Sequence, residues 1–213
     1  MRHWPVLSLS ISTPRLELRT PSLADLDELA ERAAEGVHDP AEMPFFQPWT
    51  DASPEERARG TVRYVLGRWA AWTPESWSCP LVTVFEGRVV GVQELEAADF
   101  AVTREVRTGS WLGLRHQGQG IGTEMRRAVL HLAFDGLGAE SAVSEAFLDN
   151  RRSLGGSRRL GYRDDGLARH SRRGELAVQQ RLRLDREHWS TPSGYRVDGL
   201  EPCLPLVGAV RAA

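Results

Sequence analysis

Alternating glycines in Gln117-Gly118-Gln119-Gly120-Ile121-Gly122-Thr123 are the feature of this sequence best suited to chemistry. Lacking a Cβ, glycine lets backbone N–H groups converge on a ligand, and a following helix start adds partial positive charge. Such a turn can hold a phosphate or diphosphate. The competing reading is a tight turn without a ligand, but three alternating glycines cost more backbone entropy than a simple reversal demands.

Composition narrows the anion. All 27 basic residues are arginine. Without lysine there is no Schiff-base amine, no pyridoxal-phosphate anchor and no Walker A loop, because arginine cannot deprotonate to replace it. The dinucleotide fingerprint G-x-G-x-x-G fails at Thr123, and the turn follows an antiparallel hairpin in mid-chain instead of opening a run of parallel βαβ units. Cys79 and Cys203 form no C-x-x-C pair and lack a nearby histidine cluster, so buried, reduced thiols and no metal site are expected. A formal net charge of −2 and the absence of interleaved basic and aromatic residues argue against a nucleic-acid partner.

The elements that would position these residues follow from periodicity. At 213 residues, 41% of them hydrophobic, the chain suits one domain. No apolar run approaches the ~18 residues that span a bilayer, and the first five residues lack a secretory layout, so a cytoplasmic protein with no membrane partner is expected. Arg15 to Arg19 alternates as a strand. Helices are expected from Leu23 to about Gly36 and from Ser53 to Trp69 or Trp72. Between them, Met43-Pro44-Phe45-Phe46-Gln47-Pro48-Trp49 fits neither period and reads as a functional loop or a hydrophobic plug. Leu81–Phe85, a Glu86-Gly87 turn and Arg88–Leu95 form a hairpin, and Thr108 to Leu114 a third strand. After the glycine turn come a helix with Ile121, Met125, Val129 and Leu132 on one face, a strand at Ala142 to Phe147, a helix from Asn150 to Leu160, and strands near Tyr162–Ala168 and Glu175–Leu184. Residues 190–213 show little periodicity and read as a tail packing on the body or on a partner subunit, behind a domain of residues 1–189.

Gln117-x-x-Gly120-x-Gly122 resembles the Q/R-x-x-G-x-G/A acyl-CoA signature of the GNAT superfamily of N-acetyltransferases. The element order matches as well, and Asn150-x-x-Ser153 ahead of Leu160-Gly161-Tyr162 resembles the RimJ/RimL-like branch, over about Pro14 to Trp189. Glu35–Pro40, Gly91–Gln93, Gly109–Leu114 and Gly122–Arg126 are similar to an actinobacterial group containing a mycobacterial succinyl-CoA-dependent transferase. The resemblance implies an α/β GNAT fold: a mixed, mostly antiparallel sheet flanked by helices, with two parallel strands splayed around an acyl-CoA.

It further implies an N-acyltransferase that moves an acetyl or succinyl group from coenzyme A to a primary amine, on a small molecule or a protein. By position, Leu112 and Leu114 would offer backbone groups to pantetheine. The amides of Gln117, Gly118, Gln119, Gly120, Ile121, Gly122 and Thr123 would hold the diphosphate, and Asn150 and Ser153 would contact the pantetheine or adenosine side. Residues 151 to 187 carry eleven arginines against five acids, an excess suited to steering a polyanion. Direct attack on a thioester needs a base, an oxyanion donor and an acid for the thiolate. Glu94 is the favoured base, with Glu105 as fallback because Arg107 stands where related chains carry an acid. A backbone N–H near Leu112 is the oxyanion donor. Ser157 stands where relatives often have tyrosine and could relay the proton. His38, Phe46 and Trp49 fall in the family's variable acceptor region. The alternative is a catalytically idle acyl-CoA-binding or sensor protein. A homodimer is compatible with the tail and loop.

Overall fold

The computed structural model describes residues 1–209. Its first long helix, α1 (Leu23–Glu35), starts where the sequence supplies reciprocal capping. The Ser22 hydroxyl accepts from the Asp25 N–H at 3.1 Å, and the Asp25 carboxylate accepts from the Ser22 N–H at 2.9 Å. Arg19 forks onto the same carboxylate at 3.2 and 2.8 Å and, with the Ser22 bonds, lowers its pKa from 3.8 to about 2. The second helix, α2 (Pro54–Ala70), repeats the device with Ser53 and Glu56 and has proline in its first turn.

Asp25→Ala is therefore expected to cost about 2 kcal/mol of stability at pH 7. A carboxyl whose folded pKa lies below its unfolded one stabilises fully above the unfolded value and loses that contribution as pH falls through the folded value. Urea denaturation should show a constant gap between wild type and variant from pH 7 to 5. The gap should narrow as pH falls from about 4 towards 2.

Among the described residues nine strands form a single sheet: β1 (Ser10–Ser12), β2 (Leu16–Arg19), β3 (Ser76–Phe85), β4 (Arg88–Ala98), β5 (Glu105–Leu112), β6 (Ser141–Phe147), β7 (Arg163–Arg172), β8 (Glu175–Asp185) and β9 (Arg196–Asp198). Their order is β7-β8-β6-β5-β4-β3-β2-β1-β9, antiparallel throughout except between β5 and β6. A single helical turn, α3 (Phe100–Thr103), links β4 to β5; α4 (Ile121–His131) follows β5 and α5 (Arg151–Arg159) follows β6. The two faces of the sheet are covered differently. Leu26 and Leu29 of α1 and Val65 of α2 pack on Val82, Val84, Val89 and Val92. The opposite face buries Leu81, Val90, Leu95 and Leu112 with Ile121, Met125 and Val129 of α4.

At Gly91 the sheet admits no side chain. A Cβ there would overlap the Trp111 carbonyl and lie 2.8 Å from the Leu112 Cα, both backbone atoms that cannot step aside. Gly91→Ala is expected to destabilise the fold by about 2 to 3 kcal/mol, measured by thermal or urea unfolding, because β4 must be pushed off β5.

β3 begins at Ser76 instead of Leu81, and β5 runs over Glu105–Leu112 instead of Thr108 to Leu114, with Leu114 in a 3-10 turn; two further regions depart more from the sequence expectations. The stretch beyond Trp189, expected to lack periodic structure, adds β9 as an edge strand on β1 and a 3-10 segment at Glu201–Val207. The indole N–H groups of Trp72 and Trp77 donate to the Leu206 and Val207 carbonyls at 2.8 and 3.1 Å. Three-residue strands and proline-rich 3-10 turns carry no repeat long enough to read. The other is α4, which continues as a π-helical turn over Leu132–Leu137. The last of the tail, residues 210–213, lies outside the described residues.

Candidate active site

The glycine turn places its donors on one side of a helix start. Gly118 and Gly120 have φ of +77° and +79°, a left-handed conformation that side chains disfavour. α4 begins at Ile121 with no side-chain cap, whereas α1, α2 and α5 are capped by Ser22, Ser53 and Asn150. The N–H groups of Gly118 to Gly122 meet no protein acceptor among the described residues, while those of Thr123 and Glu124 turn back to the Gly120 carbonyl at 3.1 Å. Gln117 does not point its side chain at this concavity. Its amide nitrogen donates to the Leu112 carbonyl at 3.0 Å and the Val37 carbonyl at 2.6 Å, fastening the turn to β5 and to the end of α1. From the other side Arg15 binds the Glu124 carboxylate at 2.7 Å and the Gln119 carbonyl at 3.2 Å.

Beside the turn, the sheet opens. β5 and β6 pair only over Glu105–Arg107 and Ser141–Val143, and their remaining residues do not pair with each other. On the other edge β5 stays on β4, with Gly113 donating to the Val90 carbonyl and Trp111 opposite Val92. In an antiparallel ladder alternate residues bond the neighbour, so Thr108, Ser110 and Leu112 turn their main-chain groups away from β4 and into the gap. Ser110 was not anticipated; the ladder parity that exposes its N–H becomes visible only once register is known. Leu114, expected to offer such groups, does not. Its N–H donates to the Gly36 carbonyl at 3.0 Å, and its carbonyl accepts from the Gln117 N–H at 3.3 Å.

The proton-handling candidates lie on opposite faces of this gap. Glu94, on β4 opposite Gly109, shares the helix α1 and α2 face with Trp111, while its neighbour Gln93 is fully buried on the other face, as strand alternation requires. The Glu94 carboxylate accepts from the Tyr64 hydroxyl at 2.7 Å, the Arg68 Nε at 3.1 Å and the Ser78 hydroxyl. Tyr64 is half exposed, and desolvation followed by the Glu94 charge pushes its pKa up, so it remains a donor. Tyr64 and Arg68 were missed; their i,i+4 spacing on α2 was the available signal. Next to the carboxylate, Gly109 presents no side chain: a Cβ there would sit 4.0 Å from Glu94 Oε2. The fallback Glu105 is at the foot of β5, about 20 Å along the strand from Leu112. It is held by Arg183 at 2.6 Å and by the Ser141 hydroxyl at 2.9 Å, so it does not join the site.

On the α4 and α5 side, Ser157 is fully buried. Its hydroxyl donates to the Ser153 carbonyl at 3.0 Å and accepts from Arg126 at 2.6 Å. Asn150, the only asparagine in the chain, caps α5 by accepting from the Ser153 N–H at 3.1 Å. Four of the eleven arginines between residues 151 and 187 are ion-paired within the fold: Arg158 with Asp164, Arg172 with Asp149, Arg173 with Asp51, and Arg183 with Glu105 and Asp185. That corrects the steering expectation for those four side chains.

The proline-broken loop lies over the Glu94 face. Phe45, Trp49 and Trp111 form a chain of rings 5.2 and 5.7 Å apart, and exposed Phe46 packs edge-on against His170 of β7 at 4.9 Å. His38 holds the loop together. One ring nitrogen meets the Asp39 carbonyl and the other the Thr50 hydroxyl, each at 2.7 Å, leaving neither free for an acceptor. Arg57 does the same from α2, donating to the Ala33, Ala34 and Ala52 carbonyls at 2.7 to 3.0 Å. Arg57→Met is expected to lower the melting temperature by several degrees while leaving coenzyme binding unchanged, since it strips donors from the end of α1 and from the loop without touching the turn.

A mixed sheet with two diverging parallel strands, one leading through a glycine turn into an uncapped helix, defines the GNAT architecture. The family model described as an acetyltransferase (GNAT) domain matches residues 15–163, and the chain belongs to that family. Similar solved structures include a GCN5-related N-acetyltransferase from Brucella melitensis, at 18% identity and TM-score 0.65, covering 84% of this chain and 80% of that one. RimL, a ribosomal L7/L12 alpha-N-protein acetyltransferase in complex with coenzyme A, is 18% identical with TM-score 0.62, covering 81% and 95%. The microcin C7 self-immunity acetyltransferase, in complex with acetyl-CoA and AMP, is 15% identical with TM-score 0.61, covering 81% and 93%. Among the described residues no cluster of metal-ligating side chains forms, and no helix is long and apolar enough to cross a membrane.

Proposed function

We propose that this protein is an acyl-CoA-dependent N-acyltransferase that transfers an acetyl or succinyl group to a primary amine by direct attack. The observation that carries this reading is the pairing of five unengaged amides at Gly118–Gly122 with a gap lined by the outward main-chain groups of Ser110 and the N–H of Leu112, whose carbonyl is held by Gln117. The amides hold the diphosphate. Pantetheine lies along β5 as an added strand, and the N–H of Ser110 or Leu112 meets the oxyanion of the tetrahedral intermediate. Asn150 and Ser153, at the start of α5, border the coenzyme from the far side of the gap.

The amine enters on the face of Glu94, Tyr64, Trp49 and Trp111. Glu94 sits level with Gly109, about 10 Å along the strand from Leu112, so it removes the ammonium proton through water. Sulfur departs towards the opposite face, where Ser157 lies. The family resemblance supports acetyl- or succinyl-CoA as donor.

A second reading, coenzyme binding without turnover, draws on the three donors that already occupy the Glu94 carboxylate. One assay separates them. Incubation with acetyl-CoA or succinyl-CoA and a panel of amines (peptide N-termini, polyamines, aminoglycosides, small biosynthetic amines) should release free thiol in an amine-dependent way. Tight coenzyme binding with no thiol release on any amine would establish the second reading instead.

A further inference from the structure

Arginines inside this protein are matched to acceptors. Arg19 and Arg68 each meet two carboxylates, Arg57 meets main-chain carbonyls at both helix ends, and Arg186 meets two carbonyls. Arg126 is different. One amino group donates to the Ser157 hydroxyl and its Nε is buried without a partner among the described residues; Arg32 also has an unpartnered Nε but meets Glu31 and Glu35, whereas Arg126 pairs with no carboxylate among the described residues. Burial pushes its pKa down, yet a guanidinium stays charged at neutral pH. The side chain as a whole is only partly enclosed, yet its Nε is withdrawn from solvent with no carboxylate beside it, which a simple tether between two helices would not require.

Its position gives the charge a use. Arg126 is on α4, the helix that follows β5, and Ser157 is on α5, the helix that follows β6, so their bond ties together the helices that follow the two diverging strands. Tyr162 donates its N–H to the Ser157 carbonyl at 3.2 Å, and its hydroxyl lies 3.4 Å from that of Thr108, the first β5 residue beyond the paired segment.

We propose that Arg126 is a positioning residue for departure of the coenzyme thiolate, acting through Ser157. This rests on the acyltransferase reading given above. The nitrogen lone pair forms the C–N bond, and the C–S electron pair leaves on sulfur. Glu94 has by then taken the first ammonium proton; the second, lost by nitrogen once the C–N bond has formed, replaces by way of water the proton that Ser157 gives to sulfur. Arg126 occupies a lone pair of the hydroxyl throughout, so rotation away from the Ser153 carbonyl turns the O–H towards sulfur. Its charge offsets the negative charge gathering there, and it keeps its own protons.

The test is steady-state kinetics on the full-length protein with the amine and acyl-CoA that give the fastest thiol release. Melting temperatures are measured alongside for Ser157→Ala, Arg126→Met, Arg126→Lys and the Ser157→Ala/Arg126→Met double variant. Arg126→Met should lower kcat about thirtyfold with the coenzyme KM within about threefold, and Arg126→Lys should restore kcat to within about fivefold of wild type. The double variant should be no slower than Ser157→Ala alone, because the two residues act as a unit. Where Arg126→Met fails to fold, a kcat loss beyond fivefold in folded Arg126→Lys overturns the proposal. A slow Ser157→Ala with a wild-type Arg126→Met, or a double variant slowed by the product of the single losses, overturns it and leaves the acyltransferase reading standing. Wild-type speed in Ser157→Ala removes the serine and this proposal together. Absence of turnover in wild type overturns the acyltransferase reading itself.

Discussion

Glu94→Gln should lower kcat about a hundredfold or more while changing coenzyme affinity less than twofold. The amide keeps the shape of the side chain and can still accept from Tyr64 and Arg68, so packing on the α2 face is preserved. It cannot take a proton from an ammonium, and the fraction of acceptor present as free amine then sets the rate. Raising the pH should recover part of the lost activity in the variant as the acceptor amine deprotonates in solution. Steady-state rates across pH 7 to 10, with coenzyme affinity measured by calorimetry, would check both halves. A variant with wild-type kcat would show that the proton leaves by another route.

The second large effect belongs to the turn. Gly120→Val should weaken coenzyme A binding by about a hundredfold or more. A β-branched residue resists a φ of +79°, and a Cβ at this position would lie 3.3 Å from the Arg15 guanidinium that braces the turn. Strain alone would also lower stability, so a control is needed. Gly138, at φ +73°, has nothing within 4 Å of its missing Cβ and lies at the far end of the same helical segment. Gly138→Val should lose comparable stability and keep wild-type affinity. Equal affinity loss in both variants would mean that the turn acts through the fold alone and not through its donors.

Much of this arrangement is legible from residue types. The hairpin of β3 and β4, the capped starts of α1, α2 and α5, and the glycine turn before α4 all have local causes: alternation, Ser or Asn at a helix start, and glycine where φ turns positive. The placement of Glu94 and Gln93 on opposite faces follows from strand period alone. Elsewhere the deciding facts are tertiary. Nothing in the sequence around Leu114 indicates that its N–H is taken by Gly36, and nothing local to Ser110 reveals that its main-chain groups turn into the gap. Glu105 and Glu94 are equivalent as residue types, and only the short pairing of β5 with β6 separates the foot of the cleft from its mouth. The Arg126 and Ser157 contact joins positions 31 apart across two helices, a separation that periodicity does not register. His38 illustrates the opposite case, since a histidine in a loop attracts a catalytic reading and the structure gives both its nitrogens structural partners.

The grip of the Gly118–Gly122 amides on a diphosphate is tested most directly by titration calorimetry of the wild-type protein with coenzyme A and, in parallel, pantetheine, which lacks that group. Coenzyme A should bind with micromolar affinity, and pantetheine at least about a hundredfold more weakly. No heat with coenzyme A, acetyl-CoA or succinyl-CoA at millimolar concentrations, or equal affinity for pantetheine, would contradict it.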